Sequence, residues 1–143
     1  MTKIHVRDIM STPVEVLAVG DSLDLARHLM KMGRIRHLPV VDGDQRLIGL
    51  VTHRKLLAAW VSHGDPKHER PRAVAREIPV DMLMETNVVT ASPDMLAAEA
   101  AAVLERKKIG CLPVVDGGKL VGIVTEADFV SYARRLLESL SRV

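Results

Sequence analysis

The sequence is poor in the residues that mark many functional classes. Its 143 residues include one Cys, one Trp, one Tyr and one Phe. A single cysteine excludes an internal disulfide, and so few rings predict a core built from Val, Leu, Ile, Ala and Met. The 20 Lys and Arg nearly balance the 18 Asp and Glu, for a net charge of +2. Bulk charge therefore gives no reason to expect a nucleic acid or a membrane surface as partner.

Targeting and catalytic motifs are also missing. The first ten residues, MTKIHVRDIM, lack the apolar stretch of a signal peptide, and no apolar run approaches the roughly 20 residues that span a bilayer. No nucleophile elbow, P-loop or paired carboxylate is present. We therefore expect a cytoplasmic protein that is not an enzyme and requires no cofactor.

What the sequence does contain is an internal repeat. DIMSTPV at 8–14 aligns with MLMETNV at 82–88, and LPVVDG at 38–43 recurs at 112–117, at a constant shift of 74 residues (112 minus 38). Beyond that turn the shift is 73 residues, because the loop DGDQR has one residue more than DGGK. Duplication at a fixed period indicates two copies of one structural unit.

Each copy predicts the same series of elements. An extended segment (Val14–Val19, Val88–Ser92) precedes a helix, whose apolar face in the first copy is expected to hold Leu25, Leu29 and Met32. The second copy has the Ala-rich helix LAAEAAAVLERKK. A hairpin with an Asp-Gly turn follows, and then a second helix that begins at a Thr.

The predicted unit is therefore β-α-β-β-α, present twice in an α+β fold. We assign residues 1–61 to the first repeat, 62–79 to a linker and 80–143 to the second repeat. The linker has three prolines and several charges.

The strand-to-helix junctions carry the chemistry. GIVTEAD spans Gly122–Asp128 and GLVTHRK spans Gly49–Lys55. A Thr at this place caps a helix, and TEAD matches a capping box, which explains Thr125 and Asp128 without a ligand. The same helix start is also a phosphate site, and a nearby carboxylate can bind the vicinal hydroxyls of a ribose. Both interpretations remain open at this point.

Lys55 favours the second interpretation. A base in the first turn of a helix is unfavourable by about 0.3 to 1 kcal/mol, so capping does not explain it, whereas counter-charge for a bound anion does. The alternative is that Arg54 and Lys55 are an ordinary solvated pair of bases.

Together these motifs resemble the cystathionine-beta-synthase (CBS) domain, and the chain resembles a stand-alone tandem CBS pair, the Bateman module. The resemblance rests on the opening DIM and LM segments, the two LPVVDG hairpins and the two G-x-V-T junctions. It implies two βαββα repeats packed through their sheets about a pseudo-twofold axis, with two clefts. It also implies further association into a homodimer and a regulatory role with adenosine ligands.

The resemblance implies roles for individual residues. Thr125 corresponds to the family's hydroxyl near ribose and phosphate, and Asp128 to its ribose-binding acid. Ile123 and Val14 correspond to positions that flank adenine, with Val14 supplied by the opposite repeat. The bases implied to face the phosphate are Arg36, His37 and Arg54.

The second cleft departs from the family pattern. Lys55 replaces the acid there, which puts ribose binding at Thr52 in doubt, and Gly110-Cys111 stands where the first copy has Arg36-His37. We expect this cleft to be degraded or used differently. Its residues are Thr52, Lys55, Val88 and Cys111.

Other constellations are weaker. His63 and His68 lie five residues apart without clustered Cys, Asp or Glu, so no metal site is expected. Cys111 precedes an apolar strand and is expected to be a small buried hydrophobe. Acidic residues interrupt the linker bases Lys67, Arg70, Arg72 and Arg76, so nucleic acid is not an expected partner.

The sequence thus predicts a regulatory module that binds AMP, ADP or ATP and signals to a partner protein by changing its dimer geometry. Two alternatives remain: a ligand-free interaction or scaffold module, and a module that binds S-adenosylmethionine, NAD or a dinucleotide.

Overall fold

The computed structural model describes residues 2–63 and 77–142, and at residues 62 and 63 it describes the backbone alone. The contacts divide the chain into a central unit, Glu15–Val88, and a terminal unit, Met1–Val14 with Val89–Val143. We call DIMSTPV (8–14) and MLMETNV (82–88) the opening segments of the two sequence copies. Each opening segment therefore belongs to the unit that holds the sheet of the other copy. Most of the predicted linker lies outside the described residues, together with His68, Lys67, Arg70, Arg72 and Arg76.

The elements of each copy follow the predicted order, and the structure adds a short helix before the first copy's strands and a 3-10 turn at the start of the second copy, neither of which was predicted. In chain order they are α1 (Val6–Ile9), β1 (Leu17–Ala18), α2 (Leu23–Gly33), β2 (His37–Val41), β3 (Leu47–Thr52), α3 (His53–His63), a 3-10 turn (Val80–Met82), α4 (Ala97–Lys107), β4 (Cys111–Asp116), β5 (Lys119–Thr125) and α5 (Glu126–Ser141).

Each unit has one small sheet. In the central unit β1 pairs in parallel with β2, which pairs antiparallel with β3. In the terminal unit β4 pairs antiparallel with β5, and Ala91 forms a single parallel bridge to Val114 at the place of β1. This arrangement confirms the α+β prediction and the repeated βαββα unit.

The two hairpin turns differ by one residue, as predicted. In the longer turn the Asp42 carboxylate accepts hydrogen bonds from the backbone N–H groups of Asp44 and Arg46, at 2.9 and 3.0 Å. The bond from Arg46 is the main reason that the pKa of Asp42 is lowered. The shorter turn uses Gly117 and Gly118, both at positive φ, which is the geometry of a two-residue hairpin.

The apolar face predicted for α2 is wrong for Leu25 and Met32, which are exposed, whereas Leu29 is half-buried and packs against the core as predicted. The buried residues of the helix are Leu23, Ala26 and Met30, whereas Met32 is 70% exposed. Both sets recur at helical spacing, so periodicity alone does not choose between them. The small Ala26 is completely buried in the cluster formed around the β2–β3 hairpin, so the face of α2 that contains Ala26 is the one that packs against the sheet.

The buried residues of both core clusters are Val, Leu, Ile, Ala and Met, as the scarcity of rings predicts, and Trp60, Phe129 and Tyr132 pack against them from partly buried positions. Cys111 is also buried, with 3% exposure, as expected.

Candidate functional site

The junction of β5 and α5 is built around a close contact at Gly122. A β-carbon at Gly122 would lie 2.6 Å from Sδ of Met10 and 3.2 Å from the backbone oxygen of Ser11. The equivalent Gly49 in the central unit has the same relation to Met84, which a β-carbon would overlap. The glycine of each G-x-V-T motif is therefore required because the Met of an opening segment packs against it.

The opening segment is fixed beside β5 by the backbone of Ser11. The N–H of Ser11 donates to the oxygen of Ile123 at 2.8 Å, and the N–H of Ile123 donates back at 3.1 Å. Ile123 itself is buried, with 8% exposure. Val14 follows three residues after Ser11 in the same unit and is half-buried.

Asp128 lies in the first turn of α5 and accepts hydrogen bonds at both carboxylate oxygens. Its Oδ2 accepts from the backbone N–H of Thr125 at 2.8 Å and from the Thr125 hydroxyl at 3.3 Å. Its Oδ1 accepts from the Ser11 hydroxyl at 2.7 Å. Thr125 is the N-cap residue, so the predicted capping box is confirmed. The helix start and the opening segment therefore meet at one half-buried carboxylate.

The central unit has an equivalent junction with different side chains. The hydroxyl of Thr52 accepts from the backbone N–H of Lys55 at 3.2 Å, so it also caps its helix. His37 pairs with Thr52 across β2 and β3, and the carbonyl of Arg36 accepts from the N–H of His53 at 2.8 Å. The predicted bases of the first copy thus belong to one end of this hairpin.

Exposure and unit membership complete the placement of the predicted residues. The side chains of Arg36, Arg54 and Lys55 are exposed, and Val88 is half-buried at the end of the central unit. Cys111 pairs with Thr125 at the start of β4, so it lies in the terminal unit with Asp128. Arg36, His37, Thr52, Arg54, Lys55 and Val88 all lie in the central unit.

Two residues at the junctions were missed by sequence reasoning. Ser11 bonds to Asp128 although 117 residues separate them. Glu85 exchanges backbone hydrogen bonds with Leu50 at 2.9 and 2.8 Å, as Ser11 does with Ile123. The alignment of DIMSTPV with MLMETNV already places Ser11 and Glu85 at equivalent positions, so the repeat was the available signal.

Among residues 2–61 and 77–142, no group of three or more His, Cys, Asp or Glu side chains is placed to hold a metal ion. No helix within the described ranges has the length and apolar character to cross a membrane.

Comparison with known proteins identifies the fold. The family model for the CBS domain matches residues 6–62 and 75–135. A CBS domain-containing protein of Dictyostelium discoideum is 32% identical and is matched over 95% of both chains. A homoserine O-acetyltransferase of Methanohalobium evestigatum is 33% identical over 90% of this chain, but the match covers 24% of that enzyme.

Solved structures agree with this assignment. A candidate acetoin utilization protein from Vibrio cholerae is 38% identical, with a TM-score of 0.86 over 99% of this chain and 98% of that one. CBSX2 in complex with AMP is 27% identical, with a TM-score of 0.78 over 93% and 98%. The CBS domain pair of protein MJ0100, in complex with 5′-methylthioadenosine and S-adenosyl-L-methionine, is 26% identical, with a TM-score of 0.77 over 92% and 96%. The chain therefore belongs to the CBS domain family and carries two CBS domains in tandem.

Proposed function

We propose that this protein is a regulatory module that binds an adenine ribonucleotide, AMP, ADP or ATP, at the junction of β5 and α5. The observation that carries the proposal is the carboxylate of Asp128. It is held at the N-terminus of a 16-residue helix, next to a segment that is hydrogen-bonded to Ile123. Such a helix start favours anions, and a carboxylate there can accept hydrogen bonds from ribose hydroxyls.

The ligands of the solved relatives support the adenosine part of this proposal. CBSX2 was solved with AMP, and the MJ0100 pair with 5′-methylthioadenosine and S-adenosyl-L-methionine. All three ligands contain adenosine, although two of them have no phosphate. The shared chemistry is a purine and a ribose with vicinal hydroxyls, which are the groups assigned here to Ile123, Val14 and Asp128.

We propose, on the resemblance to the family, that Arg36, His37 and Arg54 are the bases that bind the phosphate. Arg36 and Arg54 are exposed and positively charged, and His37 is half-buried at the start of β2. The equivalent positions of Arg36 and His37 in the second copy are Gly110 and Cys111, which have no positive charge.

A phosphate role for Arg54 can be tested by its substitution. Arg54→Ala should weaken binding of ATP more than binding of adenosine, and equal loss for both would contradict a phosphate role.

Two other functions remain alternatives. S-adenosylmethionine is supported by the MJ0100 complex. A ligand-free scaffold is supported by the hydrogen bonds that Asp128 makes in its own helix cap. The proposed module acts in the cytoplasm and carries out no reaction itself.

A thermal-shift panel separates these functions. We would measure unfolding of the wild type, Asp128→Ala and the control Asp44→Ala, which removes an exposed carboxylate from a turn. The ligands are AMP, ADP, ATP, S-adenosylmethionine and NADH, each compared with the same variant without ligand. A ligand at 100 times its Kd should add about 2.7 kcal/mol of stability.

We expect a shift with an adenine nucleotide in the wild type and in Asp44→Ala, and its loss in Asp128→Ala. No shift with any adenosine compound would exclude the sensor function and favour the scaffold. A shift that persists in Asp128→Ala would place the binding site elsewhere.

We also propose that the protein is a homodimer and that α5 supplies part of the interface. Val130, Leu137 and Leu140 are 68%, 62% and 63% exposed, and α5 has no buried residue. With Ala133 they follow the 3-4-3 spacing of a coiled-coil seam, beside a groove of about 630 Å³. The helix begins with Glu126 and is followed by Arg142, so an antiparallel copy would bring opposite charges together.

A further inference from the structure

The acceptor positions of Asp128 limit what it can bind. An ionised carboxylate offers about four such positions. Thr125 takes two at Oδ2, through its backbone N–H at 2.8 Å and its hydroxyl at 3.3 Å, and the Ser11 hydroxyl takes one at Oδ1. One position remains, on Oδ1. A ribose presents two adjacent hydroxyls, so a ribonucleoside that uses both of them needs the position held by Ser11.

The main chain of Ser11 is fixed more firmly than its side chain. Both backbone groups of Ser11 are hydrogen-bonded to Ile123, at 2.8 and 3.1 Å. The side chain is exposed, and its one torsion angle has three staggered positions. A ligand can therefore remove the hydroxyl from Asp128 by rotation of the side chain alone, without separation of the opening segment from β5.

In the central unit, the residues equivalent to Ser11 and Asp128 are both of a different chemical type. Glu85 stands in the place of Ser11, with the same two-way backbone pairing, here to Leu50. Lys55 stands in the place of Asp128. The hydroxyl and the acid of one junction are thus an acid and a base in the other. A paired change is expected when the two positions face each other.

We propose that Ser11 sets the ribose specificity and the affinity of the Asp128 site by occupying Oδ1 in the absence of ligand. A ligand with vicinal hydroxyls has to displace it, whereas a ligand with one hydroxyl uses the remaining position and leaves Ser11 in place. This inference rests on the proposed function, because it takes Asp128 as the group that binds ribose. Ser11 acts here through Asp128, as a positioning residue that competes with the ligand.

Calorimetric titration with two probes tests the inference. The probes are AMP and 2′-deoxy-AMP, which lacks one of the two hydroxyls, and the proteins are the wild type, Ser11→Ala and Ser11→Thr. Loss of the competing hydrogen bond should tighten AMP binding to Ser11→Ala by about three- to tenfold. Binding of 2′-deoxy-AMP should not change, and Ser11→Thr, which keeps a hydroxyl, should behave as the wild type.

The control is Ser131→Ala, the same substitution at an exposed position of α5. It should leave the Kd of both probes unchanged. Equal tightening for AMP and 2′-deoxy-AMP would overturn the inference, and so would an unchanged Kd for AMP. Weaker AMP binding would also overturn it, because Ser11 would then assist the ligand. If AMP binds neither the wild type nor Ser11→Ala at any concentration, the inference fails for AMP, and the proposed function fails as well only if ADP and ATP also do not bind.

Discussion

At the scale of single residues, each strand-to-helix junction depends on contacts within its own motif and on contacts with an opening segment. The hydroxyl and carboxylate of the TEAD motif form the helix cap that the sequence predicts, because capping depends on neighbours three residues apart. The resemblance implies that Val14 of the opening segment reaches this site, but the hydrogen bond from Ser11 to Asp128 depends on how the segment pairs with β5, which no local pattern specifies. Glu85 was missed for the same reason.

The glycine of the junction motif gives a prediction about stability. Gly122→Ala should lower the free energy of unfolding by about 1 to 3 kcal/mol, because the new methyl group would overlap Met10 and press on the Ser11 carbonyl. Gly43→Ala is the control, because a β-carbon there meets nothing within 4 Å and its φ is not positive. It should change stability by no more than about 0.5 kcal/mol. Chemical denaturation measures both, and equal effects would contradict the packing explanation.

At the scale of elements, local signals account for most of what was predicted. The Asp-Gly turns, the Ala-rich α4 and the helices that begin after Thr52 and Thr125 all depend on near neighbours, and the structure confirms them. The apolar face of α2 depends instead on how the helix meets its sheet, which periodicity does not specify. The single-residue bridge at Ala91, in place of a strand equivalent to β1, likewise lies beyond a propensity argument.

The contact between α1 and the turn before α4 predicts that the stability of the fold depends on pH. Arg7 forms an ion pair with Asp94, and this bond is the main reason that the pKa of Asp94 is lowered. A carboxylate whose pKa is lower in the folded state stabilises the fold above its unfolded pKa of about 3.9, and this contribution is lost as pH falls through the folded pKa. Part of the stability should therefore disappear in acid.

A double-mutant cycle checks this prediction. Unfolding of the wild type, Arg7→Gln, Asp94→Asn and the double variant would be measured from pH 6 to pH 2. The coupling between the two substitutions should favour the ion pair at pH 6 and shrink toward zero at pH 2, and it should be smaller in high salt because the pair is exposed. A coupling that does not change with pH would rule out the ion pair as its source.

At the scale of the whole molecule, the repeat predicts the composition of the units less well than it predicts their elements. The two sequence copies follow one another along the chain, whereas each structural unit combines the sheet of one copy with the opening segment of the other. Within the terminal unit, Met10 and Ser11 contact β5. Within the central unit, Met84 and Glu85 contact β3. A copy cut at its sequence boundary would therefore lack the segment that covers its junction glycine.

The outer face of α5 predicts the oligomeric state. Leu137→Glu should convert a dimer into a monomer, because it places a charge on an apolar face whose leucines would each contribute about 1.5 to 3 kcal/mol when buried. Ser139→Glu adds the same charge at an exposed position outside the seam and should remain dimeric. Light scattering after size-exclusion chromatography gives the masses. A monomeric wild type, or a dimeric Leu137→Glu, would count against this interface.

The proposed function places an adenine ribonucleotide at the start of α5. Titration of the isotope-labelled protein with AMP or ATP, followed by amide chemical shifts, tests this placement at single residues. We expect saturable shifts at Ser11, Ile123, Thr125 and Asp128, and their absence in Asp128→Ala. Saturable binding that leaves these four amides unmoved, or no shift at any amide up to millimolar nucleotide, would contradict it.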